Sequence, residues 1–73
     1  MTRLDEATFE QLVDLYNKVY QSSYSYEEWR ELLDDLDDDG IKHEIIEDMK
    51  HYFKKRGHNF NTIEEIENYL RIP

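Results

Sequence analysis

The sequence predicts an all-α fold, a small compact bundle of four helices at about residues 5–21, 26–37, 41–56 and 62–71. Apolar residues recur at helical spacing in four segments, and capping residues stand between those segments. No alternating pattern of strand length and no internal repeat is present. We therefore expect a single helical domain over residues 1–73, close to the size at which one core supplies only about 3–5 kcal/mol.

The first helix has its apolar residues on one face. They are Phe9, Leu12, Val13, Tyr16, Val19 and Tyr20, the rhythm of a buried helical stripe. Asp5 precedes this stripe and is predicted to be the N-cap, because its carboxylate can accept hydrogen bonds from free backbone amides. Leu4 and Phe9 then occupy the positions of a hydrophobic staple.

The second helix has the clearest start in the chain. Ser25 and Glu28 form the Ser-x-x-Glu pattern of a capping box, and Tyr24 and Trp29 flank it at the staple positions. One apolar face then continues through Trp29, Leu32, Leu33 and Leu36. We expect this face to pack into the core.

The third and fourth helices are also delimited by local signals. The buried face of the third comprises Ile41, Ile45, Ile46, Met49, Tyr52 and Phe53, which span an arc of about 140°. Residues 54–56 are cationic and Gly57 follows them, which indicates a helix end with its left-handed residue. Asn61 or Thr62 is predicted to cap the last helix, whose apolar residues are Ile63, Ile66, Tyr69 and Leu70.

The segment LDDLDDDG at residues 33–40 contains five aspartates. Asp37, Asp38 and Asp39 are expected at the C-terminal end of the second helix, where the negative dipole end opposes carboxylates. Asp38 or Asp39 is expected to help cap the third helix. Replacing Asp37 and Asp38 with asparagine should accordingly leave the fold at least as stable.

A divalent-cation site is an alternative interpretation of the same aspartates. The residues that match the start of an EF-hand loop, with one further carboxylate, are Asp35, Asp37, Asp39, Gly40 and Glu44. The last loop position, which requires a bidentate glutamate, is Ile46. The sequence therefore favours no metal site, and a cation-binding helix–loop–helix switch remains the alternative.

A transition-metal site and a catalytic site are both disfavoured. His43, Glu47 and His51 share one helical face, but the two histidines lie about 12 Å apart along a straight helix. The chain has no cysteine, no Gly-rich phosphate loop and no nucleophile elbow. We therefore expect a protein that is not an enzyme and uses no cofactor.

Negative charge is concentrated in the first half of the chain. The net charge is −9, and residues 1–40 hold twelve acids and three bases, whereas residues 41–60 hold three acids and five bases. This balance disfavours direct nucleic-acid binding and membrane association, because both need clustered cations. Apolar runs never exceed two residues, so we expect neither a membrane span nor a signal peptide, and the Cys-free composition fits the cytoplasm.

Acidic residues recur every four positions on the first two predicted helices. Glu6, Glu10 and Asp14 form one row, and Glu27, Glu31 and Asp35 form another that is expected to face elsewhere. Such rows space carboxylates about 6 Å apart, comparable to phosphates on a nucleic-acid strand. The predicted partner-binding residues are Tyr26, Glu27, Glu31, Asp34, Asp35, Asp37 and Asp38, with Tyr26 as an exposed aromatic anchor.

These features predict a small inhibitor or adaptor whose acidic helices bind a basic, nucleic-acid-binding surface of a partner protein. In size, acidity, helical content and lack of cysteine, the chain is similar to phage-encoded inhibitors of bacterial defence nucleases, anti-CRISPR proteins among them, and to nuclease immunity proteins. This likeness is one of composition, without a shared motif. We expect a monomer or small homo-oligomer in the cytoplasm, which is the host cytoplasm if the chain is phage-encoded.

Other interpretations remain open at the level of sequence. One is the cation switch described above, and another is a structural helical domain without a ligand, whose acidity only keeps it soluble. A further one places a contact site for RNA or an acidic partner at residues 50–58, KHYFKKRGH. The cations of this stretch are also explained as helix-end residues.

Overall fold

The computed structural model describes residues 1–71 and contains four α-helices in the predicted order. They are α1 at Phe9–Tyr20, α2 at Tyr26–Leu32, α3 at Asp38–Lys54 and α4 at Ile63–Arg71, with a short 3-10 turn at Leu4–Glu6 before α1. Residues 1–71 are 68% helical and contain no strand, only an isolated bridge between Arg3 and Thr62. The predicted all-α fold is confirmed, while several helix boundaries differ.

Thr8, not Asp5, caps α1. The backbone N–H of Gln11 donates to Thr8 Oγ1 at 3.1 Å, and the Thr8 N–H donates to Gln11 Oε1 at 2.9 Å, which completes a capping box. The prediction of Asp5 as the cap is wrong, because Asp5 lies in the 3-10 turn. That turn is held by the far end of the chain, since the Leu4 N–H donates to the Asn61 carbonyl at 3.0 Å.

The predicted start of α2 is confirmed, but its predicted end at residue 37 is wrong. Ser25 Oγ accepts from the Glu28 N–H at 3.2 Å, and Glu28 Oε1 accepts from the Ser25 N–H at 3.3 Å. The helix ends at Leu32, and a turn over residues 33–36 follows. Leu32 is consequently 61% exposed and Leu36 is 40% exposed. Trp29 is the one buried residue of α2.

Asp37 caps α3, which begins earlier than the predicted residue 41. Its Oδ1 accepts from the Gly40 N–H at 2.8 Å, and Asp38 and Asp39 form the first helical turn. The prediction that Asp38 or Asp39 would cap this helix is therefore wrong. Gly57 has the expected left-handed conformation, with φ of +82°, beyond the end of α3 at Lys54.

Thr62 caps α4, as one of the two predicted alternatives. Its Oγ1 accepts from the Glu65 N–H at 3.3 Å, and Glu65 Oε1 accepts from the Thr62 N–H at 3.1 Å. The Ile63 N–H also donates to the Thr2 carbonyl at 2.9 Å, which joins the start of the chain to α4.

One hydrophobic core is formed by the 3-10 turn and all four helices. Helix α1 packs mainly against α3 and also contacts α2 and α4. The buried side chains are Leu4, Ala7, Leu12, Val13, Leu15, Val19, Trp29, Ile41, Ile45, Ile46, Met49, Phe53, Ile63 and Ile66. Helix α2 is attached mainly through Trp29, whose ring stands perpendicular to Tyr16 with centroids 4.9 Å apart. The remainder of α2 is therefore free to present side chains to solvent.

Candidate functional site

A continuous acidic segment runs from α2 through the turn into α3. We define it as residues 27–39, which hold eight acids and one base. The acids are Glu27, Glu28, Glu31, Asp34, Asp35, Asp37, Asp38 and Asp39, and all are exposed. This segment contains every predicted partner-binding residue except Tyr26, which directly precedes it.

The aspartates at the end of this segment lie at a helix start and not at a helix end. Asp37 is the cap of α3, and Asp38 and Asp39 follow in its first turn. The positive dipole end at a helix N-terminus favours carboxylates. The prediction that these residues oppose the dipole of the second helix is therefore wrong, and the helix-dipole contribution to folding has the opposite sign.

Arg30 and Asp38 form a two-pronged ion pair between α2 and α3. Arg30 Nε donates to Asp38 Oδ1 at 3.1 Å, and Nη2 donates to Oδ2 at 2.9 Å. This hydrogen bonding lowers the pKa of the Asp38 carboxyl below its ordinary value and raises the pKa of Arg30. Both side chains are about half exposed, so water screens the attraction and the pair positions α2 more than it stabilises the fold.

The Arg30 guanidinium also lies beside two aromatic rings. Its carbon is 5.6 Å from the Phe9 ring centroid and 5.4 Å from that of Tyr26, within range of a cation–π contact. The two rings meet edge to face at 6.2 Å. We call this surface the α1–α2 depression, a space of about 360 Å³ lined by Thr8, Phe9, Glu10, Tyr26, Arg30 and Asp38.

A second depression adjoins the first along the side of α1. It has a volume of about 300 Å³ and is lined by Glu10, Val13, Asp14, Tyr24, Ser25 and Tyr26. Glu10 and Tyr26 line both spaces. The expectation that the acidic row of the first helix faces elsewhere is therefore wrong for Glu10.

The two predicted carboxylate rows are both interrupted. Glu6 lies in the 3-10 turn before α1, and Asp35 lies in the turn after α2. Only Glu10 and Asp14 remain on α1, and only Glu27 and Glu31 remain on α2. A regular ladder at phosphate spacing is absent from residues 1–71, so the negative surface is a patch and not two parallel rows.

The structure gives the predicted partner-binding residues different surroundings. Asp37 caps α3, and Asp38 pairs with Arg30. Four further acids have no hydrogen-bonding or ion-pairing partner for their side chains within residues 1–71, namely Glu27, Glu31, Asp34 and Asp35. Tyr26 is 37% exposed, because one part of its ring packs against Phe9.

The sequence reasoning missed Phe9, Glu10 and Arg30 as site residues. Phe9 reads as a core residue at helical spacing, and it is only partly buried. Glu10 and Arg30 lie on different helices, and the periodicity within each helix does not predict how those helices cross. A sequence signal does exist for the neighbouring cap, since Thr8-x-x-Gln11 matches a capping box.

The geometry of an EF-hand loop is not present around the aspartates. Asp39, Gly40 and Glu44 lie within α3 instead of in a loop, and the Asp37 carboxylate accepts from a backbone amide. Across the described part of the chain, no three His, Asp or Glu side chains come together as metal ligands. His43 pairs with Glu47 at 3.8 Å, as neighbouring exposed residues on a helix do.

The basic stretch at residues 50–58 has local structural roles. The Arg56 guanidinium lies 3.7 Å from the Tyr52 ring centroid and donates to the Tyr52 carbonyl at 3.1 Å. Lys54 and Lys55 are exposed at the end of α3. A contact site for RNA or an acidic partner in this stretch stays a prediction.

Comparisons with protein-family models, with curated proteins and with solved structures found no match for this chain. Within residues 1–71, no helix has both the length and the apolar content needed to cross a bilayer. The function is therefore inferred from the charges and contacts of the chain itself.

Proposed function

We propose that this chain is an acidic protein-binding inhibitor or adaptor, whose acidic segment binds a basic, nucleic-acid-binding surface of a partner protein. The main observation in support is the exposure of eight acids in residues 27–39 with Arg30 as their one base. Ordinary exposed helices mix charges of both signs and gain ion pairs between neighbours. In this segment the carboxylates instead repel one another, and a basic partner would relieve that repulsion.

The charge of the segment favours a protein partner over a nucleic acid. Phosphates would be repelled by the −9 net charge, whereas a groove lined with lysine and arginine would attract it. Complementary fields of this kind raise association rates and lose strength as salt is added. Steep salt dependence is therefore the property that most directly reports this mode of binding.

Two exposed leucines supply apolar contact within the same surface. Leu32 is 61% exposed at the end of α2, and Leu36 is 40% exposed in the turn that follows. Glu31, Asp34 and Asp35 surround them in sequence. Apolar side chains enclosed by a charged rim are the usual arrangement of a protein interface.

The compositional likeness to phage-encoded inhibitors gives this proposal its specific form. A nuclease of a bacterial defence system, such as a CRISPR effector, presents a basic groove for nucleic acid. An acidic protein bound in that groove blocks its substrate by occupying the phosphate-binding cations. In this form of the proposal, the site of action is the host cytoplasm.

Affinity capture from bacterial lysate tests the proposal when it is combined with a matched pair of charge variants. The site variant carries Glu31→Gln, Asp34→Asn and Asp35→Asn, and the control variant carries Glu44→Gln, Glu47→Gln and Asp48→Asn on α3. All six acids are exposed, so both variants lose the same charge without losing buried contacts. Mass spectrometry identifies the captured protein, and its nucleic-acid binding is then measured with and without this chain.

The wild-type and control proteins should capture the same basic protein at about 50 mM salt and release it at about 500 mM, where screening is strong. The site variant should recover it at least about tenfold less, the loss expected for about 1.4 kcal/mol. Equal capture by the site variant, or capture of a partner that does not bind nucleic acid, would refute the proposal.

A further inference from the structure

One cation, Arg30, already lines the α1–α2 depression of the free protein. The Arg30 guanidinium is held by both oxygens of Asp38 and lies beside the rings of Phe9 and Tyr26. A planar guanidinium is recognised by these two kinds of contact, a two-pronged carboxylate and an aromatic face. The depression therefore contains the chemistry needed to bind an arginine side chain.

The Arg30 side chain is part of the wall of this depression and leaves its space open. It is 50% exposed, and its partner Asp38 is 54% exposed. Glu10 also lines the depression and has no ion-pair partner among residues 1–71, so a carboxylate remains free for a second cation. The space of about 360 Å³ is also open to solvent. An exposed ion pair of this kind exchanges readily with competing charges.

We propose that the α1–α2 depression is a binding site for an arginine side chain of the protein partner, and that Arg30 holds the Asp38 carboxylate and the two aromatic rings as an internal ligand until the partner's guanidinium displaces it. This inference rests on the proposed function, which supplies a partner with exposed cations. Arginine is favoured over lysine, because a compact ammonium group cannot form the two-pronged contact with Asp38.

A titration with N-acetyl-arginine amide tests this site without the partner. The probe is added to isotope-labelled protein at constant ionic strength, and the ring signals of Phe9 and Tyr26 are followed by NMR. N-acetyl-lysine amide and sodium chloride serve as comparisons. The arginine probe should produce saturable shifts at both rings, and the lysine probe should bind at least about threefold more weakly.

Arg30→Ala and Arg30→Gln remove the internal ligand and should bind the arginine probe at least about threefold more tightly than wild type, because the open fraction of the site increases. The matched control is Arg3→Ala, which removes the same charge and a similar exposed pair with Asp5. Its affinity for the probe should equal that of wild type. Equal affinity in the Arg30 and Arg3 variants would overturn the proposal.

The wild-type protein supplies a second readout that does not depend on a variant. Displacement requires the Arg30 Nε–H signal to move as the probe saturates the site, and an unmoved signal would contradict displacement. This titration contains no partner, so its failure leaves the capture result standing. In contrast, equal capture of the partner by the site variant and the control variant refutes the proposed function whether or not the probe binds.

Discussion

Asp37 and Asp38 are neighbours with the same side chain, but they have different roles. Asp37 accepts from the Gly40 N–H as the cap of α3, whereas Asp38 pairs with Arg30 across to α2. The cluster of aspartates is evident in the sequence, but the separate roles of Asp37 and Asp38 are not, because both depend on where α3 begins. Leu32 was predicted to be buried because the second helix was expected to continue to residue 37. The helix instead ends at Leu32, which leaves this side chain exposed.

Replacing Asp37 and Asp38 together with asparagine should lower thermal stability, not preserve it. Asparagine caps a helix about as well as aspartate, so the loss comes from Asp38, which gives up its pair with Arg30 and its favourable position at the helix start. Asp37→Asn alone is the control and should melt close to wild type. A double variant as stable as wild type at low salt would contradict this assignment.

Leu32→Ala should separate binding from folding. Because the side chain is 61% exposed, the free energy of unfolding should change by less than about 0.5 kcal/mol. Capture of the partner should nevertheless weaken by more than about 1 kcal/mol if Leu32 is an interface anchor. Chemical denaturation measures the first quantity and binding to the identified partner the second. Unchanged binding would remove Leu32 from the interface.

At the scale of the helices, features that depend on local sequence were predicted more successfully than helix boundaries that depend on tertiary contacts. Ser25 and Thr62 cap their helices as expected, and Gly57 is left-handed, because each effect depends on residues within one turn. The start of α1 was missed because the turn at Leu4–Glu6 is held by a hydrogen bond to Asn61, far away in sequence. The apolar pattern of α2 likewise does not reveal that the helix ends at Leu32 and that a turn over residues 33–36 follows.

Thr8→Ala should destabilise the protein by roughly 0.5–2 kcal/mol, because it removes the side-chain half of the α1 capping box. Asp5→Ala is the comparison, since Asp5 was the alternative cap and its side chain makes only an exposed pair with Arg3. It should change stability by less than about 0.5 kcal/mol. Urea denaturation compares the two, and a larger loss for Asp5→Ala would place the cap at Asp5.

At the scale of the whole molecule, the fold class and the charge distribution were predictable, whereas the depression was not. Helical periodicity and net charge are properties of the chain alone. The α1–α2 depression needs Phe9 and Glu10 from one helix to meet Tyr26 and Arg30 from another. Those contacts between helices depend on how the core orients α2 through Trp29. No single segment of the sequence determines that orientation.

The protein should lose stability between pH 10 and about pH 12 as Tyr20 ionises. Burial, and secondarily Tyr16, raises the pKa of Tyr20 from 10.0 to about 12 in the folded protein. A raised pKa means that folding favours the neutral hydroxyl, so its contribution is complete below pH 10 and is lost as the pH rises through the folded value. Chemical denaturation across this range measures the loss.

Tyr20→Phe should be less stable than wild type near neutral pH, because it lacks the hydroxyl that donates to the Asp48 carbonyl at 3.0 Å. Its stability should then fall less steeply than that of wild type above pH 10. Parallel curves for the two proteins would show that another group causes the alkaline loss.

The measurement that tests the central claim most directly is competition for the identified partner between this chain and a labelled nucleic acid, repeated across a salt series. Because both ligands would use the same cations, the chain should displace the nucleic acid fully, and its affinity should fall steeply as salt rises. The variant carrying Glu31→Gln, Asp34→Asn and Asp35→Asn should displace it at least about tenfold less effectively, and the α3 control variant should match wild type. A ternary complex with the nucleic acid still bound, or an affinity unchanged by salt, would contradict binding of the acidic segment to a basic nucleic-acid-binding surface.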